Sequence, residues 1–391
     1  METSQREQSI LFTPHKMGDV ELPNRIVMAA LTRTRCNPAD GVPTDLHVEY
    51  YSARASSGFI LTECSQIRED GCAFPGAAGI HSDEQVEGWK RVNDAIHQKG
   101  GRSYLQIWHG GRAVHPDHIN GLETVSASAI AINGTVHTKN GRVQHAVPRE
   151  LTIPEIKELV KTFRRGAENA KRAGFDGIQL HGAHGYLVDQ FLKDSSNQRT
   201  DEYGGSIENK SRFCLEVLDE LIEVFGAGRV GIKLSPVCDY NDQSDSDVFG
   251  LHDYLFEQFN KKNIAFVEVN EALSMDPATN PEKTERFWSK YEKKSIREIY
   301  KPKFNGTFIT NYQLDFEKGT KIVNDGHADL VSYGILYVCN DNLVEKFKNG
   351  TPLNNLQHVK EPSKIFTHYF YNPASGATGY TDLSVYEPAQ E

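Results

Sequence analysis

Three hydrogen-bonding side chains crowd into six residues of the segment Gly177–Tyr203: His181, His184 and Tyr186. Gly182 and Gly185 separate them, and glycine lets a backbone turn sharply and approach a ligand closely. Adjacent imidazoles are good donors to an anion or to a developing enolate oxygen. A phenol stays protonated at neutral pH and can deliver a proton. The spacing suggests two histidines holding an oxygen while a tyrosine protonates a carbon. Taken singly, a His or Tyr at a strand end is more often a satisfied structural residue than a catalyst. Zinc is not expected, because no third Cys, His or carboxylate stands at ligand spacing.

A strand must position these groups, and the apolar run Ile178–Leu180 supplies one. Similar runs recur at Arg25–Ala30, Phe59–Thr62, Ser103–Trp108, Arg229–Leu234, Ala265–Val269, Gly306–Ile309 and Leu330–Ser332. Helical patterns fall between them at Thr44–Ser56, Asp83–Gln98, Thr152–Ala173, Ser206–Phe225, Leu251–Lys261, Ser289–Tyr300 and Phe316–Asp325, with Asn342–Phe347 last. Eight such units predict an α/β fold, a (β/α)8 TIM barrel. A doubly wound sheet fits less well, since no G-x-G-x-x-G opens the first helix. Leu11–Pro23, broken at Gly18-Asp19, reads as an N-terminal β-hairpin. Residues 1–391 are expected to form one domain, with a polar tail to about residue 9 and insertions at roughly 110–150 and 271–287.

The net charge is −10 with no long basic block, which argues against nucleic acid or an anionic membrane as partner. No signal peptide or membrane-length apolar run is read, and the six cysteines lack C-x-x-C pairing, so reduced thiols in a cytoplasmic protein are expected. His109, His115 and His118 in WHGGRAVHPDH read as solvated. So does the acidic run Asp239–Asp247, which lacks the glycine of a calcium loop.

The segment HGAHGYLVDQFLKDSSNQRTDEYGGSIENKSRF resembles the active-site segment of the Old Yellow Enzyme family of FMN ene reductases. Its His-His form is similar to the 12-oxophytodienoate reductase branch rather than to the His-Asn form, and the resemblance spans roughly residues 9–384. It implies that Thr32 meets flavin O4, with Ala30, Leu31 and Cys64 around it, and that Gln106 and His181 meet the pyrimidine edge. Lys233 stands where the family has an arginine beside N1 and O2, and Asn311 and Gly334 follow the last two strands on the cofactor side. Trp108 and Tyr380 are implied in the substrate pocket with His181, His184 and Tyr186. The implied reaction uses NADPH or NADH to reduce the C=C bond of an α,β-unsaturated carbonyl. His181 and His184 bind the oxygen, flavin N5 gives hydride to Cβ, and Tyr186 protonates Cα. A small-molecule enone partner and a monomer or homodimer go with it.

The departures cluster at the flavin phosphate. Tyr312 and Gln313 replace a Gly-rich turn, and Ile335 stands in place of an arginine. The helix near Phe316, with Lys318 and Lys321, is the remaining source of phosphate contacts. Two readings stay open: an ene reductase with weaker FMN binding, or a barrel using the same triplet for non-redox isomerisation, cyclisation or ligand binding.

Overall fold

In the computed structural model, which describes residues 6–272 and 294–388, eight parallel strands pair in chain order. They are β1 (Ile26–Met28), β2 (Phe59–Leu61), β3 (Ser103–Trp108), β4 (Gly177–Gly182), β5 (Val230–Leu234), β6 (Phe266–Asn270), β7 (Thr307–Asn311) and β8 (Leu330–Tyr333). β8 returns to β1 with Val331 opposite Ile26, which closes the ring and leaves no free edge. The doubly wound alternative is thereby removed, and the (β/α)8 barrel stands.

The helices are α1 (Asp45–Ser52), α2 (Asp83–Gln98), α3 (Ile153–Arg172), α4 (Ile207–Phe225), α5 (Val248–Lys262), α6 (Ile296–Tyr300), α7 (Phe316–Asn324) and α8 (Leu343–Asn349). Their starts follow local chemistry. Ser82 with Gln85 and Thr152 with Glu155 form capping boxes at α2 and α3. Of the expected helix Ser289–Tyr300, residues 289–293 lie outside the described residues, as do 273–287 of the expected insertion. Within 110–150 the chain forms an exposed hairpin, Thr135–Thr138 with Gly141–Gln144. Two short helices escape the periodicity argument, Leu187–Leu192 and Ile335–Cys339. Five or six residues hold too few turns to show a period.

Strand alternation builds the barrel interior in layers. Phe59, Tyr104, Phe266, Ile309 and Leu330 join an apolar lower layer, plugged from below by Met17, Val20 and Leu22 of the hairpin. The hairpin pairs His15–Met17 with Val20–Leu22 as expected. Glycine makes room for the large rings: a Cβ on Gly231 would meet the Phe266 ring at 2.4 Å. Two residues further along β3 to β8, the inner face turns polar, with Gln106, Gln179, Lys233, Glu268, Asn311 and Ser332. An apolar floor thus carries a polar layer at the C-terminal end, where barrel enzymes keep their active sites.

Candidate active site

His181, one residue before the end of β4, is buried, and its Nδ1 accepts the Ala183 N–H at 3.3 Å. That bond fixes the tautomer that leaves Nε2–H as the donor. The chain then turns through His184 at φ 56° and Gly185 at φ 69°. A Cβ on Gly185 would meet Asn241 Cβ at 2.6 Å, so only glycine fits. The left-handed His184 is tied at both ends. Its N–H donates to Ser235 Oγ at 2.8 Å, and its carbonyl accepts from Asn241 Nδ2 at 2.9 Å. Gly185 N–H donates to Asp189 Oδ2 at 2.8 Å, and Asp189 in turn lies 3.4 Å from Lys193 Nζ.

This turn brings the triplet together. The His181 ring lies 5.7 Å from the His184 ring and 4.9 Å from the Tyr186 ring, and Tyr186 packs edge-on against Trp108 at 4.6 Å. Burial, reinforced by the Lys233 charge, pushes the His181 pKa down to about 3 and holds His184 well below the ordinary histidine range. Burial likewise raises the Tyr186 phenol far above its usual value. At neutral pH the site therefore holds two uncharged imidazoles and a protonated phenol. His184 Nε2 is buried and has no hydrogen-bond partner among the described residues.

Beneath the triplet, Lys233 Nζ lies 3.3 Å from Glu268 Oε1, both side chains almost sealed from solvent. Glu268 also accepts from Gln179 Nε2 at 2.8 Å and Ser332 Oγ at 2.7 Å, and Gln106 Nε2 donates to Gln179 at 2.7 Å. Asn311 Nδ2 donates to Ser332 Oγ at 2.7 Å, while Asn311 Oδ1 accepts from Asn270 at 3.1 Å. A buried ion pair is tolerable when its spare lone pairs are satisfied in this way. On the β1–β2 side, Thr32 Oγ1 and Cys64 Sγ are 2.9 Å apart, and burial raises the thiol pKa, which leaves it unreactive. Ala30 is buried beside β1, and Leu31 and Gly334 are half-buried.

Three expectations need correction. Tyr380 is not brought to the triplet: it is fully buried and stacks on Tyr50 at 4.0 Å, with the Arg33 guanidinium 5.2 Å from its ring. A stacked ring with a cation over it is a core wedge. Tyr371 is the C-terminal aromatic that reaches the site. It stacks on Phe74 at 5.7 Å, and Phe74 stacks on Trp108 at 6.1 Å. His109 is buried rather than solvated, its Nε2 3.4 Å from Asp70 Oδ1. Asp245 is also buried, paired with Lys210 at 2.6 Å.

Sequence reasoning missed Ser235, Asn241 and Asp189, which orient the histidine turn, and Gln179 and Glu268, which complete the polar layer. For the last two a signal exists: a polar residue inside an otherwise apolar barrel strand. For Ser235 and Asn241 no local signal exists, because they reach His184 from another βα loop. Among the described residues, no group of three or more His, Cys, Asp or Glu could hold a metal ion, and no helix is long and apolar enough to cross a membrane.

Comparison with known proteins meets this geometry from the other side. Residues 10–354 match the NADH:flavin oxidoreductase / NADH oxidase family. The chain is 39% identical over 388 residues to a probable flavin mononucleotide-dependent alkene reductase of Leishmania infantum, covering 98% of this chain and 99% of that one. It is 40% identical to 12-oxophytodienoate reductase 1 of Oryza sativa subsp. japonica, covering 95% and 93%. Among solved structures, morphinone reductase in complex with tetrahydroNAD superposes with a TM-score of 0.83 at 37% identity, covering 95% of this chain and 96% of that one. The old yellow enzyme from Trypanosoma cruzi superposes with a TM-score of 0.86 at 29% identity, covering 97% and 99%. Matching in sequence over nearly its whole length and in the course of its barrel, this chain belongs to the NADH:flavin oxidoreductase / NADH oxidase family, among the Old Yellow Enzyme homologues.

Proposed function

We propose that this enzyme reduces the C=C bond of α,β-unsaturated carbonyl compounds, with FMN as cofactor and NADH or NADPH as reductant. The observation that carries the reading is the neutral His181–His184 pair, with the buried His184 Nε2 left without a protein partner. A buried polar atom without a partner costs free energy unless a ligand satisfies it. An enone oxygen is such a ligand. The relatives named as alkene, 12-oxophytodienoate and morphinone reductases support the same substrate class.

The ring end of a flavin fits the donor set at the strand ends. Thr32, Gln106 and Lys233 offer a hydroxyl, an amide and an ammonium, His181 neighbours the pyrimidine edge, and Ala30, Leu31 and Cys64 form the apolar flank. Asn311 and Gly334 would face the cofactor from β7 and β8. When bound, FMN supplies the hydride acceptor and donor that no amino-acid side chain can replace.

The remaining steps fall to the chain itself. His181 Nε2–H and His184 Nε2–H bind the carbonyl oxygen and stabilise the negative charge that grows on it, with each such donor lowering the barrier by roughly 3 kcal/mol. Neutral imidazoles suit this role because they donate without protonating the oxygen outright. Tyr186 gives its phenolic proton to Cα; its raised pKa keeps that proton available at neutral pH. Trp108 and Tyr371 wall the substrate side. The positive charge of Lys233, balanced by Glu268, favours a reduced anionic ring.

The non-redox reading rests on Tyr312, Gln313 and Ile335 alone, and family membership does not favour it. The test is the purified protein with added FMN. Retained flavin absorbance and NADPH-dependent loss of a cyclic enone are expected. A protein that binds no flavin and leaves the enone unchanged overturns the proposal.

A further inference from the structure

(β/α)8 barrels frequently hold phosphate between the loops after strands seven and eight, against the N-terminus of a short extra helix. Here that place lies between the turn Tyr312–Gln313 after β7 and the short helix Ile335–Cys339 after β8. Neither loop carries a cation, reading NYQLDF and YGILYV. Ile335, the first residue of the short helix, puts an apolar side chain into solvent at 48% exposure. The N-terminus of α7 is already capped by a carboxylate, since Asp315 Oδ1 accepts the Lys318 N–H at 2.8 Å. Among the described residues, Lys318 pairs with Asp315 at 3.3 Å and Lys321 with Asp325 at 2.7 Å, while the Arg54 Nε and Nη1 donate to the Tyr337 and Tyr50 carbonyls, leaving its buried Nη2 without a partner.

The turn itself keeps a left-handed trace, with Tyr312 at φ 121° and Gln313 at φ 49°. Its backbone N–H groups are the neutral donors left to a phosphate at this place, and the charged hydrogen bond that a cation in either loop would add, about 1.5–3 kcal/mol, is missing. We propose that the phosphate of FMN adds little to its binding in this barrel, so that the chain takes riboflavin nearly as well as FMN. The inference rests on the flavin reading above and concerns only what holds the cofactor. Affinity then comes from the ring contacts at Thr32, Gln106, His181 and Lys233, where the two flavins are identical.

The experiment titrates the purified chain, freed of co-purified flavin, with riboflavin and with FMN, and reads quenching of flavin fluorescence. The expected dissociation constants differ by less than about ten-fold, the ratio that 1.4 kcal/mol produces. FMN binding tighter by more than that overturns the inference while leaving the ene reductase reading intact. Binding of neither flavin overturns both. Ile335→Arg, at an exposed position that tolerates a long side chain, gives the second measurement. It should tighten FMN by roughly ten-fold or more, the yield of one charged hydrogen bond, and leave riboflavin unchanged. Equal changes for both flavins, or none for either, would count against a phosphate site that lacks only its cation.

Discussion

The turns after β4 and β7 both carry non-glycine residues in the left-handed region, yet they hold them differently. His184 at φ 56° is tied by Ser235 and Asn241, and its neighbour Gly185 by Asp189. At Tyr312 and Gln313, the side-chain hydrogen bond among the described residues runs between the two strained residues themselves, from Gln313 Nε2 to the Tyr312 hydroxyl at 3.1 Å. A strained conformation persists where its surroundings over-determine it, and it then points to function. Three outside tethers hold the histidine turn for use. The β7 turn keeps the trace of a glycine turn without such tethers, and without a charge for a phosphate.

If the histidine turn is the reacting end, removing its proton donor should have the largest effect. Tyr186→Phe should slow enone turnover by about 10²–10⁴-fold. Reduction of the flavin by NADPH, followed separately by stopped-flow absorbance, should keep its rate. Equal losses in both half-reactions would remove Tyr186 from the proton-donor role.

His184→Ala removes one of two oxygen donors and should lower kcat for enones by about 10²-fold. Flavin binding should stay within about two-fold, roughly 0.4 kcal/mol, because the residue faces the substrate. A matching collapse of flavin affinity would show that the turn supports the cofactor instead.

The neutrality of this site also has a signature in stability. Burial and the Lys233 charge bring the His181 pKa down to about 3. Between that value and the ordinary histidine value of about 6.5, the unfolded chain binds a proton that the folded chain refuses. Stability should therefore fall as the pH drops through this window, by about 1.4 kcal/mol per pH unit for each such histidine. His181→Asn should flatten the slope by one proton's worth between pH 6.5 and 4.5, read from urea midpoints. An unaltered slope would mean that His181 is protonated in the folded protein.

How much of this was legible in the sequence depended on the range of the interactions. The strand–helix alternation is local, so the barrel and the ranges of α2 and α3 could be read directly. The triplet was legible because three donors share one short segment. The tethers were not, because Ser235 and Asn241 belong to another loop, and their approach to His184 exists only once β4 and β5 are paired. Tyr380 and Tyr371 show the same limit. Both are C-terminal aromatics, and the contacts that distinguish them are long-range: Arg33 and Arg35 bind the carbonyls of this segment, Tyr380 stacks on Tyr50, and Tyr371 stacks on Phe74. Asp245 read as solvated because its partner Lys210 lies on a distant helix.

The smallest effect tests the β7 turn. If Gln313 occupies the left-handed region without compensation, Gln313→Gly should stabilise the protein by about 0.5–1 kcal/mol, because glycine pays no Cβ penalty there. The shift should appear in the urea midpoint with an unchanged denaturant slope. At His184, the same substitution deletes a catalytic donor, so any gain in stability comes with loss of enone turnover. A neutral or destabilising Gln313→Gly would mean that the β7 turn is held by contacts as firm as those at His184. The contrast between the two turns would then lie in charge alone.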